Sequence, residues 1–133
     1  MTQPPPTKGI RHVALYVRDL AAMERFYGQV LGYAVEWRPS ERELYMTRGS
    51  DNLALHAVDA VDAGEVRESR LDHIGLLMRT PADVDAWATW LEQRGVPLDT
   101  RPRQHRDGAK SFYARDPEGN RIQFIWHPPI ADT

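Results

Sequence analysis

The chain contains no cysteine among its 133 residues. This excludes disulfide bonds, cysteine nucleophiles and sulfur ligands to a metal, and with them a small secreted domain held together by disulfides. No apolar run approaches the roughly 18 residues that a membrane-spanning helix requires. The N-terminal segment is polar and rich in proline, without the apolar stretch of a signal peptide. We therefore expect a cytoplasmic protein without a membrane partner.

The chain also lacks a strong charge of either sign. Its formal net charge is -2, and no long block of like charges occurs, so neither nucleic-acid binding nor a charged interaction tail is predicted. Hydrophobic residues make up 41% and charged residues 27% of the chain, as in ordinary soluble globular proteins. A chain of 133 residues is long enough for one domain with a substantial core.

One sequence pattern occurs twice. A short apolar run with a histidine near its start lies at residues 10–18 and again at residues 71–79, and each run is followed by an amphipathic helix. The two histidines, His12 and His73, lie about 61 residues apart, and both helices end at a glycine. Three further strands follow each helix. The sequence therefore predicts an internal duplication of a β-α-β-β-β unit.

The predicted fold class is α+β, with two paired βαβββ modules that form a curved, cup-like mixed sheet with the helices on its outer face. The predicted strands are 10–17, 33–37, 42–47, 52–58, 71–79, 96–100, 110–115 and 121–126, with a charged loop at 101–109. The predicted organisation is a flexible arm at 1–8 and a single domain at 9–133, with module one at about 9–58, a linker at 59–69 and module two at about 70–127.

The first and last strands of each half are one-sided. One face is apolar and suits packing against the helix, and the other carries one side chain that can bind a metal; these are His12, His56, His73 and Gln123. From their spacing, His56 and Gln123 are expected to be equivalent. Three imidazoles and an amide oxygen suit zinc, nickel, iron or manganese. The competing interpretation is a polar sheet face that only contacts solvent.

Four segments carry a resemblance to a known family: HVALYVRDL from His12, FYGQVLGY from Phe26, LDHIG from Leu71 and FYARDPEGNRIQF from Phe112. They resemble the vicinal oxygen chelate superfamily, which includes glyoxalase I, fosfomycin- and bleomycin-resistance proteins and extradiol dioxygenases. The resemblance covers about residues 9–127. It implies paired βαβββ modules and a homodimer.

The resemblance also implies a set of metal ligands. His12 and His73 match the family's histidine ligands, and His56 is taken to match the fourth-strand ligand of glyoxalase I. Gln123 stands where the family usually has glutamate. Glutamine is neutral and cannot act as a general base. This departure counts against glyoxalase-type isomerisation and against the two-histidine, one-carboxylate iron site of the dioxygenases.

The sequence is compatible with two functions from different classes. The first is a metal-dependent enzyme of the glyoxalase/dioxygenase type, a lyase, isomerase or dioxygenase, which acts on a small oxygenated substrate chelated to a divalent metal. Its candidates for proton transfer or oxyanion contact are His105 and Tyr113, and its candidate substrate-binding residues are Trp37, Tyr45, Phe112 and Lys110. The second is a non-catalytic binding or sequestration protein, similar to bleomycin-resistance proteins, which would need none of the metal ligands. Core packing of the aromatic residues and a solvated Lys110 stay open as simpler interpretations.

Overall fold

The computed structural model describes residues 10–59 and 71–130. The chain divides after residue 66 into two compact units, hereafter the first and second halves. The predicted arm at 1–8 and residues 60–69 of the predicted linker lie outside the described residues. No helix in the described part of the chain is long and apolar enough to cross a membrane.

Between residues 10 and 59, the first half contains a four-stranded mixed sheet and one helical segment. Its elements are β1 (His12–Val17), α1 (Leu20–Arg25), a π-helical turn (Phe26–Val30), β2 (Ala34–Ser40), β3 (Glu43–Thr47) and β4 (Asn52–Ala57). The strand order is β1-β4-β3-β2, with β1 parallel to β4 and the other pairs antiparallel.

The second half repeats this plan. Its elements are β5 (Ile74–Leu77), α2 (Pro81–Gln93), β6 (Arg103–Gln104), β7 (Lys110–Arg115), β8 (Arg121–Trp126) and a 3-10 turn (Pro128–Ile130). The strand order is β5-β8-β7-β6, with β5 parallel to β8. The predicted α+β fold of two βαβββ modules is confirmed.

The helix boundaries follow from local chemistry. The Asp19 carboxylate accepts a hydrogen bond from the Ala22 amide at the start of α1, and the Thr80 hydroxyl caps α2 in the same way. Gly32 and Gly95 follow the two helical segments with φ of 81° and 74°, a left-handed conformation that favours glycine. Both predicted helix ends are therefore confirmed.

Each helix covers one face of its own sheet. In the second half the Trp87 ring of α2 stacks on Phe124, with ring centroids 6.0 Å apart, and Phe124 stacks on Phe112 at 4.7 Å. In the first half Val17 and Leu55 are fully buried in the corresponding layer. Successive residues of a strand point to opposite faces, so the alternate residues form a second surface in each half. No helix in the described part of that half covers this surface, which we call the helix-free face. The helix-free faces of the two halves carry the four candidate ligands.

The predicted strand at 96–100 is wrong. Only an isolated bridge between Leu98 and Ala114 forms there, and the fourth strand of the sheet, β6, lies inside the predicted charged loop. Pro97 has no amide hydrogen to donate to a ladder. The Thr100 hydroxyl accepts the Tyr113 amide hydrogen at 2.9 Å, so a side chain takes the place of a strand carbonyl.

Candidate functional site

His12 lies at the start of β1 on the helix-free face of the first half. Its Nδ1 is 2.7 Å from Oδ1 of Asn52, and the Asn52 amide nitrogen donates to Oε2 of Glu36 at 2.7 Å. Because the amide nitrogen faces the carboxylate, the amide oxygen faces the imidazole, and Nδ1 of His12 must carry the proton. The lone pair of His12 is therefore on Nε2, the atom left to bind a metal.

His73 directly precedes β5 and has the same arrangement. Its Nδ1 is 2.6 Å from Oδ1 of Asp72, and an ionised carboxylate can only accept. The hydrogen bond from His73 and then the charge of the imidazole hold the pKa of Asp72 below its usual value. Metal-binding histidines commonly donate their second ring N–H to such a carboxylate or carbonyl oxygen. His73 therefore also presents Nε2.

Gln123 lies on β8, on the same face as His73. Its amide nitrogen donates to Oγ of Ser111 at 3.2 Å, so the amide oxygen is the atom left to act as a ligand. Ser111 is almost fully buried, and its Oγ also lies 2.7 Å from Nε2 of His105. His105 is therefore not a loop histidine in open solvent, as its polar sequence context suggests, but part of a hydrogen-bonded chain that ends at Gln123.

The strand register corrects the predicted equivalence of His56 and Gln123. Two residues after His12, Ala14 is paired with Ala54 of β4; two residues after His73, Gly75 is paired with Gln123 of β8. Ala54 is thus the counterpart of Gln123, and it has no donor atom. His56 lies two residues, or about 6.6 Å, further along its strand.

The environment of His56 also differs from that of the other two histidines. Its Nδ1 is 3.7 Å from Oε2 of Glu43, too long for a hydrogen bond. Its ring packs edge-on against Tyr45, with centroids 6.1 Å apart. His56 therefore belongs to an aromatic and acidic cluster on the helix-free face, beyond the level of the candidate ligands.

In neither described half is a group of three or more histidine, aspartate and glutamate side chains close enough together to hold a metal ion. The chemistry of the donor set nevertheless fits a divalent metal. Each of the three side chains His12, His73 and Gln123 has one polar atom fixed by a neighbour and one donor atom remaining, which is how metal ligands are oriented in proteins. Two imidazoles and one amide oxygen suit a borderline divalent ion.

The helix-free faces also carry aromatic residues at matching positions. Tyr45 is adjacent to Ala54, and Tyr113 is paired with Gln123, so the two tyrosines are counterparts. The Trp37 ring packs edge-on against Tyr45 at 5.3 Å and is 58% exposed. These rings are therefore available to a ligand on the helix-free face of the first half.

In the second half Tyr113 lies between two charged or polar groups. Its ring is 5.4 Å from the His73 ring, and the Arg121 guanidinium lies 4.0 Å above it. The contact with Arg121 is a cation–π interaction. The Arg121 guanidinium, whose Nε is also 3.5 Å from the Asp99 carboxylate, thus lies on the same face as His73 and Gln123.

Two of the predicted substrate-binding residues do not lie on the helix-free face. Phe112 is fully buried in the stack with Phe124, and the Lys110 ammonium pairs with the Asp85 carboxylate of α2 at 2.5 Å. Both side chains lie on the face of β7 that α2 covers. Phe112 and Tyr113 are adjacent in a strand and point to opposite faces, so only one of them can line a site on the helix-free face.

Three supporting residues were missed in the sequence: Asn52, Asp72 and Ser111. Asp72 had a usable signal, since an acidic residue directly before a candidate ligand can accept its ring N–H. Asn52 begins the strand that pairs with β1, and its role depends on the register. Ser111 lies diagonally opposite Gln123 on the neighbouring strand β7, a contact that sequence spacing alone does not reveal.

Comparison with known proteins gives consistent matches. The family model described as Glyoxalase/Bleomycin resistance protein/Dioxygenase superfamily matches residues 9–124. The metallothiol transferase FosB of Staphylococcus haemolyticus is 31% identical over 117 residues, which are 87% of this chain and 81% of that protein. The virulence protein STM3117 of Salmonella typhimurium is 28% identical over 119 residues, covering 86% and 81% of the two chains. The crystal structure of a lactoylglutathione lyase from Agrobacterium tumefaciens is 26% identical, covers 94% of this chain and 98% of that one, and has a TM-score of 0.74.

Proposed function

Because the chain belongs to the glyoxalase/bleomycin resistance protein/dioxygenase superfamily, we propose that it is a metal-dependent enzyme acting on a small oxygenated substrate. The metal ligands in this proposal are His12, His73 and Gln123. The donor set suits zinc, nickel, iron or manganese. His56 is left out of the ligand set because its strand position corresponds to Ile125, and not to Gln123, in the other half.

The observation that carries the proposal is a hydrogen-bonding pattern shared by three side chains. His12 Nδ1 is bonded to Asn52, His73 Nδ1 to Asp72 and the Gln123 amide nitrogen to Ser111. One donor atom of each side chain is left for a metal. A solvated polar face does not require this repeated arrangement, since water satisfies exposed polar atoms equally well.

When bound, a divalent metal would supply a Lewis acid that polarises a substrate oxygen. The proposed protein ligands are all neutral, so they do not offset the positive charge. Gln123 cannot take up a proton, and isomerisation of the glyoxalase type needs a carboxylate base at this place. We therefore favour group transfer over isomerisation.

The reaction that we propose is the addition of a thiol to a strained oxygen ring, in keeping with the name of the metallothiol transferase relatives. The thiol sulfur forms a bond to a ring carbon, the carbon–oxygen bond breaks, and its electron pair stays on oxygen. The proton lost by the thiol goes to solvent, and the new alkoxide takes up a proton. Tyr113, beside His73, is the proposed donor of that proton, and it regains a proton from solvent.

Residues on the same faces suit an anionic substrate. Arg121 lies over the Tyr113 ring, and its Nε is also 3.5 Å from the Asp99 carboxylate, which offsets part of its positive charge. In the first half Trp37 and Tyr45 offer apolar ring surface for the carbon atoms of the substrate. In this proposal Tyr113 and Arg121 orient the reacting group, and Trp37 and Tyr45 contact the carbon atoms of the substrate.

One observation favours a second candidate function. Trp37 is 58% exposed and packs against Tyr45, and exposed paired aromatic rings can bind a planar ligand without any metal. A non-catalytic sequestration protein of the same fold would use this surface. Such a protein would bind its ligand equally well after metal removal, whereas a metal-dependent enzyme would lose its activity.

Metal analysis combined with a thiol-transfer assay tests the proposal. The protein and its His12→Ala and His73→Ala variants are incubated with zinc, nickel, manganese or ferrous iron, desalted and analysed for metal. We expect close to one metal per chain in the parent protein, a large loss in both variants, and metal-dependent consumption of cysteine with the epoxide fosfomycin.

Equal metal content in all three proteins would overturn the proposal. Metal binding with turnover of the methylglyoxal–glutathione adduct but not of the epoxide would replace group transfer by isomerisation. The expected homodimer is tested separately by light scattering.

A further inference from the structure

We propose that His105 is a positioning residue that selects which atom of Gln123 faces the metal, and that it acts through Ser111. The inference rests on the proposed function, since it concerns one of the proposed metal ligands. It replaces the sequence-based prediction of His105 as a catalytic residue. The observations that carry it all lie within the second half.

The three side chains form a continuous hydrogen-bonded chain. Gln123 Nε2 lies 3.2 Å from Ser111 Oγ, and Ser111 Oγ lies 2.7 Å from His105 Nε2. Ser111 is only 2% exposed, so water does not compete for its hydroxyl group. In a buried site an unsatisfied hydroxyl is costly, and its hydrogen bonds are therefore well defined.

Hydrogen bonds within its turn position His105 beside Ser111. It stands at the tip of the β6–β7 hairpin, where its amide donates to the Ala109 carbonyl at 2.7 Å and its carbonyl accepts from the Gly108 amide at 3.1 Å. Gly108 has a φ of 89°, and the Asp107 carboxylate accepts the Ala109 amide hydrogen at 3.0 Å. The turn thus fixes the backbone of the residue whose ring contacts Ser111.

In this proposal the Ser111 hydroxyl donates to His105 Nε2 and accepts from the Gln123 amide nitrogen. A serine hydroxyl has one proton to donate. When His105 Nε2 accepts that proton, Ser111 is left as an acceptor, and only the nitrogen end of the Gln123 amide can satisfy it. The carbonyl oxygen of Gln123 is then directed away from Ser111, in the orientation that a metal requires.

Without His105 the opposite arrangement becomes available. Ser111 could turn its proton toward the Gln123 carbonyl oxygen, and the amide would then turn over. The NH₂ group that faces the metal in that case has no lone pair to donate. His105 therefore distinguishes two orientations of the amide that are otherwise similar in shape.

A glutamate at position 123 would not need this selection. Its two oxygens are equivalent, and it would accept the Ser111 proton in either orientation. The dependence on His105 is thus a consequence of having glutamine where the family usually has a carboxylate. This gives the inference a matched test within one protein.

The test measures Co²⁺ affinity by the visible absorption of the bound ion. His105→Ala and Ser111→Ala are each made in the parent protein and in the Gln123→Glu background. His105→Gln, whose side-chain carbonyl can accept the Ser111 proton, serves as the conservative variant, and thermal unfolding without metal monitors folding. We expect His105→Ala to weaken Co²⁺ binding about tenfold in the parent protein, within the range for residues that support metal ligands. The same change should have little effect in the Gln123→Glu background, and His105→Gln should restore much of the affinity.

Three results would count against these assignments in different ways. An equal loss in both backgrounds would show that His105 acts otherwise than by orienting the amide, and would overturn the inference. No loss in the parent protein would overturn it as well, while leaving the proposed function intact. Co²⁺ binding that is insensitive to His12→Ala and His73→Ala would instead remove the proposed function, and the inference with it.

Discussion

The two halves of the chain have the same fold but different numbers of candidate ligands. At matching positions of the register, the first half has His12 and Ala54, whereas the second half has His73 and Gln123. The strand histidine and its hydrogen-bonded support are present in both. The last strand supplies a donor only in the second half. The proposed ligand set is therefore asymmetric, with one residue in the first half and two in the second.

The support of the two histidines differs as well. His12 donates to a neutral amide that is itself oriented by Glu36, whereas His73 donates directly to the carboxylate of Asp72. A hydrogen bond to an ionised acceptor is stronger than one to a neutral acceptor. We therefore expect His73 to be the more strongly oriented ligand.

The largest expected effect is on the free energy of unfolding, and it distinguishes the two faces of β7. Phe112→Ala removes a fully buried ring from the stack with Phe124, and we expect a loss of about 3–5 kcal/mol in unfolding free energy. Tyr113→Ala, at the next residue but on the helix-free face, should cost much less. Urea unfolding of both variants measures the difference. Similar losses would contradict the assignment of these side chains to opposite faces.

The next effect concerns the histidine of the second half. His73→Ala should weaken metal binding by at least about 100-fold, because losing a ligand should cost no less than the 10- to 100-fold typical of losing a supporting residue. A competition titration with a chromophoric chelator measures the affinity. Asp72→Ala, which leaves the ligand in place, provides the matched comparison and should have a smaller effect. A greater loss in Asp72→Ala than in His73→Ala would exclude His73 as a ligand.

Introducing the family's usual carboxylate at position 123 should increase the difference between the two halves. Gln123→Glu adds a negative charge at the proposed ligand position, and we expect metal affinity to rise about tenfold, or about 1.4 kcal/mol. Gln123→Ala makes the second half resemble the first at this position and should lower the affinity. Isothermal titration calorimetry with one metal measures both changes. The claim that Gln123 is a ligand would not survive identical affinities in all three proteins.

The smallest effect is the pH dependence of the Asp72–His73 pair. The hydrogen bond from His73 holds the pKa of Asp72 below its usual value, so the folded state favours the ionised carboxylate. This contribution to stability is present above the ordinary aspartate pKa of about 3.9 and is lost as the pH falls through the lowered value. The stability difference between the parent protein and Asp72→Asn should therefore shrink on acidification, as followed by thermal unfolding between neutral and acidic pH. A difference that grew toward acid pH would contradict the direction of the shift.

Much of the fold could be predicted because it depends on local signals. The strand alternation around His12 and His73, the caps at Asp19 and Thr80 and the two helix-ending glycines all act within a few residues. The strand predicted at 96–100 failed because Pro97 and the Thr100 side chain interrupt the ladder. That competition between side chain and backbone is decided by the tertiary structure.

The candidate site was only partly predictable for a related reason. His12 and His73 are recognisable from their repeat, but the pairing of β4 with β1 decides that Ala54, and not His56, corresponds to Gln123. The two last strands begin at different distances from their first strands, so sequence spacing gave the wrong counterpart. The partners Asn52 and Ser111 likewise depend on which strands are neighbours.

One measurement tests the account most directly: metal titration of His12→Ala and His56→Ala. Both variants remove a histidine from the helix-free face of the same sheet, so they are matched in charge and in loss of side chain. We expect His12→Ala to lose at least about 100-fold in metal affinity, because it removes a ligand and not only a supporting residue. His56→Ala should bind like the parent protein. A comparable loss in His56→Ala, or an unchanged affinity in His12→Ala, would contradict the assignment.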